Sequence, residues 1–306
     1  MLTSDRGRFS EHFPPWGVGV LDRQVPFASD IRDDDFSVGA GYFDERFGAG
    51  HAPAAQPALI PAFDEIEDDF FDPSLVHPLI REFYQNSAGF NLLLERVTWR
   101  APFGYVAPLY TRLASHVFKQ LAVPSTTRTP RVMHSHYGDL DVDNDGTPDY
   151  RTWIRFFPAA DGTPRKIFYV AALRTIRVQE GRRRRSFLSV CLPLWSGNKC
   201  SVFAFGNGPA GGLTLTTGRR DSKIAGSYLV FHDVPVRGRV TYLPALGLGE
   251  TLRFWVPSGP NISYILGEHL ESWRSKEVFR LEYRIERGAG KQIRLERATD
   301  AISGPG

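Results

Sequence analysis

The chain has 306 residues, 42% hydrophobic and 13% aromatic, enough to fill one large domain or two modest ones. No stretch approaches the ~20 apolar residues of a membrane-spanning helix, and the first 13 residues lack the apolar core of a secretion signal, so a cytoplasmic location is expected. The net charge of +3 hides an asymmetry: residues 1–72 hold 15 acidic and 5 basic side chains, a net of −10, and the remainder carries +13.

Residues 1–65 show no helical or strand period. They hold Pro14-Pro15, many glycines and an Ala-Pro-rich run from Ala52 to Pro61. Such composition buries too little apolar surface to offset ordering entropy. Yet Phe9, Phe13, Trp16, Phe27, Phe36, Tyr42, Phe43 and Phe47 are too many rings for a plain linker. The expectation is an acidic, extended arm whose rings dock on the body. A single β-rich domain then spans 66–300, with folded structure from about Asp72, and 301–306 form a flexible tail.

A first helix is predicted from His77-Pro78, because proline is tolerated at the first helical position. Leu79, Ile80, Phe83 and Tyr84 share its apolar face, and Asn86-Ser87-Ala88-Gly89 stops it. Asn91 to Trp99 reads as a strand. A second helix is predicted from Ala107 or Pro108 to Leu121, where Leu109, Leu113, Val117 and Leu121 recur every four residues.

Beyond Pro130 the sequence is dominated by β-branched and aromatic runs separated by turn signals. Strands are predicted over 150–157, 166–178, 186–194, 201–205, 213–217, 227–231, 239–243, 251–256 and 278–285. Phe279, Leu281, Tyr283 and Ile285 alternate with Arg280, Glu282, Arg284 and Glu286, the mark of a strand with one wet face. Residues 261–273 suit either strand or helix. The fold class is α+β, mainly β: two N-terminal helices on a large antiparallel curved sheet or barrel. Such a sheet encloses an apolar cavity when its inner face is not fully packed.

The segment Asp139 to Asp149 carries the most specific spacing. Asp141, Asp143, Asp145 and Asp149, with Gly146 between, match the carboxylate positions of a calcium loop. Thr152 stands where an EF-hand needs its bidentate glutamate, and Pro148 also departs from that pattern. The alternative is an Asp-Asn-Gly hairpin turn. His134 and His136 are two apart, so both face one side of a strand. With His232 they are the acid/base candidates, and a pair of this kind can also bind a transition metal. Arg182, Arg183, Arg184 and Arg185 sit at an expected hairpin tip, which suits an anionic membrane surface or plain solvent. No specific nucleic acid is expected, since base-stacking rings do not interleave with them. Gly206 to Gly212 matches a dinucleotide-binding spacing, but a strand follows it where that motif needs a helix. Cys191 and Cys200 can face each other across a hairpin loop at 194–197; in a reducing cytosol free thiols are expected.

Three segments carry a resemblance: His77-Pro78-Leu79-Ile80-Arg81-Glu82-Phe83-Tyr84, Arg151-Thr152-Trp153-Ile154-Arg155, and Ile167-Phe168-Tyr169-Val170-Ala171-Ala172. Together they resemble uncharacterised bacterial proteins, including the soluble portion of YndJ-like membrane proteins. That resemblance implies a β-rich domain over roughly 72–286 and assigns no catalytic residue. The helix-then-sheet order also resembles START-like lipid-binding folds, without their long C-terminal helix. The leading functional expectation is a module that binds an apolar or amphipathic small molecule or lipid in a sheet-lined cavity. The alternatives are a hydrolase or cyclase-type enzyme with a histidine acid/base, and a calcium-stabilised interaction module.

Overall fold

The structure, a computed structural model, describes residues 38–288 except 114–120, 127–129, 143, 160–163, 195–196, 219–221, 223, 233–239, 246 and 261. Helix α1 (Tyr42–Phe47) leads into the short strand β1 (His51–Pro53). Helix α2 (Pro78–Gln85), strand β2 (Phe90–Trp99) and helix α3 (Phe103–Leu113) follow. The rest is strand: β3 (Arg131–Leu140), β4 (Tyr150–Pro158), β5 (Pro164–Glu180), β6 (Arg183–Leu194), β7 (Gly197–Asn207) and β8 (Leu213–Thr216). After these come β9 (Gly226–His232), β10 (Val240–Pro244), β11 (Leu248–Trp255), β12 (Tyr264–Trp273) and β13 (Lys276–Arg287).

Ten of these strands close into an antiparallel barrel. Around the ring they run β2, β3, β4, β5, β6, β7, β8, β11, β12, β13, and β13 pairs back with β2. Strand β7 has two partners on one edge: Gly197 to Val202 pair with β9, and Ala204 to Asn207 pair with β8. The β9–β10 hairpin therefore branches off the barrel where β7 changes partner.

Closure gives each strand an inside and an outside, and the period of two sorts its side chains. On β13, Phe279, Leu281, Tyr283 and Ile285 are buried inside while Arg280 and Arg284 face out, as the alternation predicts. The strands β4 to β7 are apolar on both faces, because their outside is also covered. Ile154, Phe156, Val170, Phe187 and Val202 form a second core with Val38, Tyr42, Phe43, Tyr228 and Val230.

Packed structure thus begins well before Asp72. Phe43 is fully buried, and residues 58–66 place Leu59, Ile60, Phe63 and Ile66 in the main core. His51 fastens this segment: its Nδ1 meets Asp44 Oδ1 at 2.8 Å and its Nε2 meets Thr152 Oγ1 at 2.9 Å. Gly138 permits the approach, since a Cβ there would lie 2.3 Å from His51 Nε2. The rings expected to dock from Phe9, Phe13, Trp16, Phe27 and Phe36, and the tail 301–306, lie outside the described residues.

Helix α2 starts and stops as predicted. The His77 imidazole accepts from the Leu79 amide, Pro78 is the first helical residue, and Leu79, Ile80, Phe83 and Tyr84 are buried. Helix α3 differs from the expectation. It begins at Phe103, with Pro108 inside it. Leu109 and Leu113 are 70% and 47% exposed, so the leucine stripe does not face the core; Val117 lies outside the described residues. Tertiary contact decides the face instead: Ala107 is buried, the Tyr110 ring lies 5.9 Å from Trp99, and Thr111 Oγ1 donates to Ala107 O and Val123 O. Residues 264–273 of the ambiguous segment are strand β12. Cys191 and Cys200 are directly opposed on β6 and β7, 4.3 Å apart at Cα, and form a disulfide; the expectation of free thiols is corrected.

If α1 belongs to the core, Phe43→Ala should lower unfolding free energy by about 3–5 kcal/mol, the usual cost of deleting a buried ring. Urea denaturation measures this. An unchanged midpoint would mean that residues 38–47 only rest on the surface.

Candidate ligand-binding site in the barrel interior

Helix α2 packs at the end where β2 starts, with the Phe83 ring 5.6 Å from Phe90. Helix α3 packs at the other end, against Trp99. Between them the barrel holds a chamber of about 280 Å³. Its wall is mostly apolar: Leu92, Leu173, Leu188, Val190, Leu215, Leu252 and Leu281 all line it. Ten strands are more than side chains can fill, whereas about eight give an interior that packs solid.

Two polar features interrupt this wall. The first is an ionic cluster on β7, β11 and β12. Lys199 Nζ lies 3.0 Å from Glu250 Oε1 and 3.2 Å from Glu271 Oε1. Ser201 Oγ donates to Glu250 Oε1 at 2.5 Å, and His269 Nε2 lies 3.5 Å from Glu250 Oε2. Burial alone would raise the Glu250 carboxyl, but Lys199, His269 and Ser201 outweigh it and hold the group well below its ordinary 4.5. Burial likewise works against the Lys199 ammonium, and Glu250 and Glu271 reverse it, so the amine stays charged. The Tyr110 phenol of α3 is pushed up to about 12, first by burial and then by Glu271. That places α3 over the cluster.

The second feature is Arg155 on β4, which is 5% exposed. Its guanidinium carbon lies 4.8 Å from the Trp153 ring, 5.3 Å from Phe168, 5.2 Å from Tyr169 and 5.0 Å from Tyr283. A bulge opposite Arg155 and Phe156 turns both Phe168 and Tyr169 toward it. Each such ring contributes about 0.5–2 kcal/mol of cation–π attraction. The hydrogen bonds are long and to neutral atoms: Nη1 to Tyr169 Oη at 3.5 Å and Nη2 to Met133 Sδ at 3.8 Å. Among the described residues no carboxylate is paired with Arg155, and Nε has no partner. Burial pushes the Tyr137 and Tyr283 phenols up to about 12 and Tyr169 higher still, so all three are neutral at physiological pH and supply no counter-charge.

The residues singled out from sequence lie elsewhere. His134 and His136 do share one side of β3, but it is the outer one. The His134 ring packs 5.7 Å from Phe156, and His136 is opposite Ile154, both in the outer core. His232 ends β9, and its side chain lies outside the described residues. Asp141, Asp145 and Asp149 serve backbone amides. Asp141 accepts from Asp145 N and Gly146 N, Asp145 from Thr147 N, and Asp149 from Val142 N. Asn144 and Gly146 take positive φ of 58° and 89°, the conformations that Asn and Gly favour in turns. Asp143 lies outside the described residues, and no group of three or more His, Cys, Asp or Glu is placed to hold a metal among those described.

Of the four arginines only Arg182 sits in the hairpin turn; the others belong to β6. Arg183 and Arg185 lie over the Phe70 ring at 4.9 and 4.0 Å, and Asp69 accepts from Arg184 N. The Gly206–Gly212 loop braces the entry to α2. Gly211 O accepts from His77 N, and Asn207 bonds both backbone atoms of Asp72. Asp44, His51 and Thr152 have the carboxylate–imidazole–hydroxyl order of a hydrolytic triad. Thr152 is only 1% exposed, however, so its hydroxyl is closed off from solvent in this structure.

Sequence reasoning missed Arg155, Lys199, Glu250, His269 and Glu271. A signal was present: each is a polar residue in phase with the apolar face of its strand, as Lys199 is with Phe203 and Phe205, and Glu250 with Leu252 and Phe254. Fold and site define a closed antiparallel barrel with an apolar chamber, an inward ionic cluster and the buried Arg155 in the chamber wall. Neither a family model, a curated protein nor a solved structure matches this chain. The resemblance to YndJ-like proteins therefore rests on its three segments alone and assigns no role to any residue here.

The depressed Glu250 carboxyl makes a pH prediction. A group whose folded pKa lies below its unfolded value stabilises the fold above that unfolded value, and the contribution is lost as pH falls through the folded one. Glu250→Gln should cost about 3–5 kcal/mol at neutral pH. It should also flatten the loss of stability between ~pH 5 and ~pH 2 relative to wild type. Urea unfolding across that window checks both; parallel curves would show that Glu250 is not held ionised by the fold.

Proposed function

We propose that this protein binds an apolar or amphipathic small molecule inside the barrel, between α2 and α3. The observation that carries the reading is the chamber itself: about 280 Å³ of space walled mainly by leucine, valine and aromatic side chains. Empty apolar space of that size forfeits packing contacts, and a ligand restores them. Pockets for small molecules have this composition, a largely apolar wall with a few fixed polar groups that set orientation.

The way in is past α3. Only Ala107 of its eleven residues is buried, while Tyr105, Val106 and Leu109 are exposed. A cover with so few buried contacts opens locally at low cost. By contrast α2 buries four large side chains at the opposite end and acts as a fixed plug. The Lys199–Glu250–Glu271 cluster lines the chamber with its charges mutually satisfied.

The test is uptake of Nile red, a neutral apolar dye whose fluorescence rises in dry surroundings, together with mass spectrometry of organic extracts of the purified protein. Wild type should bind the dye. Val190→Trp, which fills the chamber from β6, should weaken binding by about tenfold or more while leaving the circular dichroism unchanged. A wild-type protein that takes up no dye and carries no small molecule would overturn the reading.

A further inference from the structure

We infer that the ligand is an amphipathic anion whose single negative head group, a carboxylate, sits on the Arg155 guanidinium inside the barrel. This rests on the chamber being a ligand site and adds the chemical class of its occupant. The argument begins with charge. An arginine cannot shed its proton in a protein, so burial leaves a full positive charge in surroundings of low dielectric. Every other ion on the chamber wall is answered by a partner: Lys199 by Glu250 and Glu271, and Glu250 by Lys199. Arg155 has no such partner among the described residues. Its neighbours are rings, which attract a cation but do not neutralise it.

Geometry gives the same answer. The rings of Trp153, Phe168, Tyr169 and Tyr283 hold the guanidinium from several sides. Among the described residues its Nε has no partner, and its Nη atoms meet only neutral acceptors: Tyr169 Oη at 3.5 Å and Met133 Sδ at 3.8 Å, with the neutral Tyr283 hydroxyl also facing the guanidinium. The planar fork of donors is therefore fixed in place with its hydrogen-bonding capacity largely unspent, and that fork matches a carboxylate in two parallel bonds. The tail belongs among Leu188, Val190, Leu215 and Leu281. One cation fits one negative charge. A dianionic phosphate ester would bring an uncompensated charge into the same dry space, so the head group is a monoanion.

Competition against Nile red tests this with three ligands of equal chain length at mildly alkaline pH: decanoate, decan-1-ol and methyl decanoate. On wild type, decanoate should displace the dye at a concentration about tenfold or more below that of the two neutral ligands, the usual margin of hydrogen bonds to an ionised group. In Arg155→Leu the dye should still bind and the preference should vanish. Two results would overturn the inference while leaving the chamber intact: equal displacement by all three ligands on wild type, or an unchanged preference for decanoate in Arg155→Leu. If Arg155→Leu does not fold, the wild-type comparison decides alone. Failure of the dye and of all three ligands to bind wild type would remove the chamber as a site, and the anion with it.

Discussion

Ring closure between β13 and β2 is the constraint on which the rest depends. Phe279 to Arg287 pair antiparallel with Trp99 to Phe90, and with that pairing a ten-strand sheet has no free long edge. An open sheet of this length would have to cover an edge or risk pairing with another chain. Closure removes that problem and creates another: the interior is too wide for side chains to meet across its middle. The ends are filled by what the chain places there. Helix α2 and the segment before it bring Phe63, Phe71, Phe83 and Tyr84 into one end: Phe71 stacks on Phe205, Phe83 and Tyr84 pack against Phe254, and Phe63 lies against Phe71 and Tyr84. The chamber is the part that this filling does not reach.

The same geometry explains why charged residues stand inside. In a strand paired on both sides, position fixes direction, so a polar residue in phase with the apolar set must point inward. Lys199, Glu250 and Glu271 are brought together because β7, β8, β11 and β12 are neighbours around the ring. Their mutual attraction offsets desolvation only because three strands converge the charges within 3.2 Å. Arg155 stands on a different part of the wall, and the bulge in β5 gives it rings in place of a carboxylate. The two sites follow different rules: one is closed electrostatically, the other is left with net charge.

This distinction bears on what was legible in the sequence. Most strands were legible to within a few residues at each end, because period-two patterning and turn chemistry are local; β3 showed only through its histidine pair, β12 suited helix as well, and half of β7 was missed. The α2 helix was legible for the same reason, with its His77-Pro78 start and buried face. The α3 face was not, since Leu109 and Leu113 repeat as a core stripe would, and only the barrel mouth decides that Ala107 faces inward. The site was not legible either. Asp141 and His134 stand in conspicuous local patterns, one a turn and the other facing the outer core. Arg155 and Glu250 are inconspicuous in sequence, and it takes the closed ring to show that they look into one chamber.

The charge asymmetry along the chain takes a different meaning in the folded molecule. Within the described residues, the acidic side chains of 64–69 lie against the basic body rather than apart from it. Asp64 pairs with Arg81 at 2.6 Å, Glu65 with Arg177 at 3.2 Å, and Asp68 and Asp69 accept from the backbone of β6. Phe70, between them, lies under Arg183 and Arg185. Exposed pairs of this kind add little stability one by one, but they set the register in which residues 64–72 lie along the barrel. That register carries Phe63, Phe71 and then α2 over the end of the ring. The Phe70 ring thereby attracts the Arg183 and Arg185 guanidinium groups without neutralising them. At Arg155 the positive charge has no carboxylate partner among the described residues, and it faces the chamber.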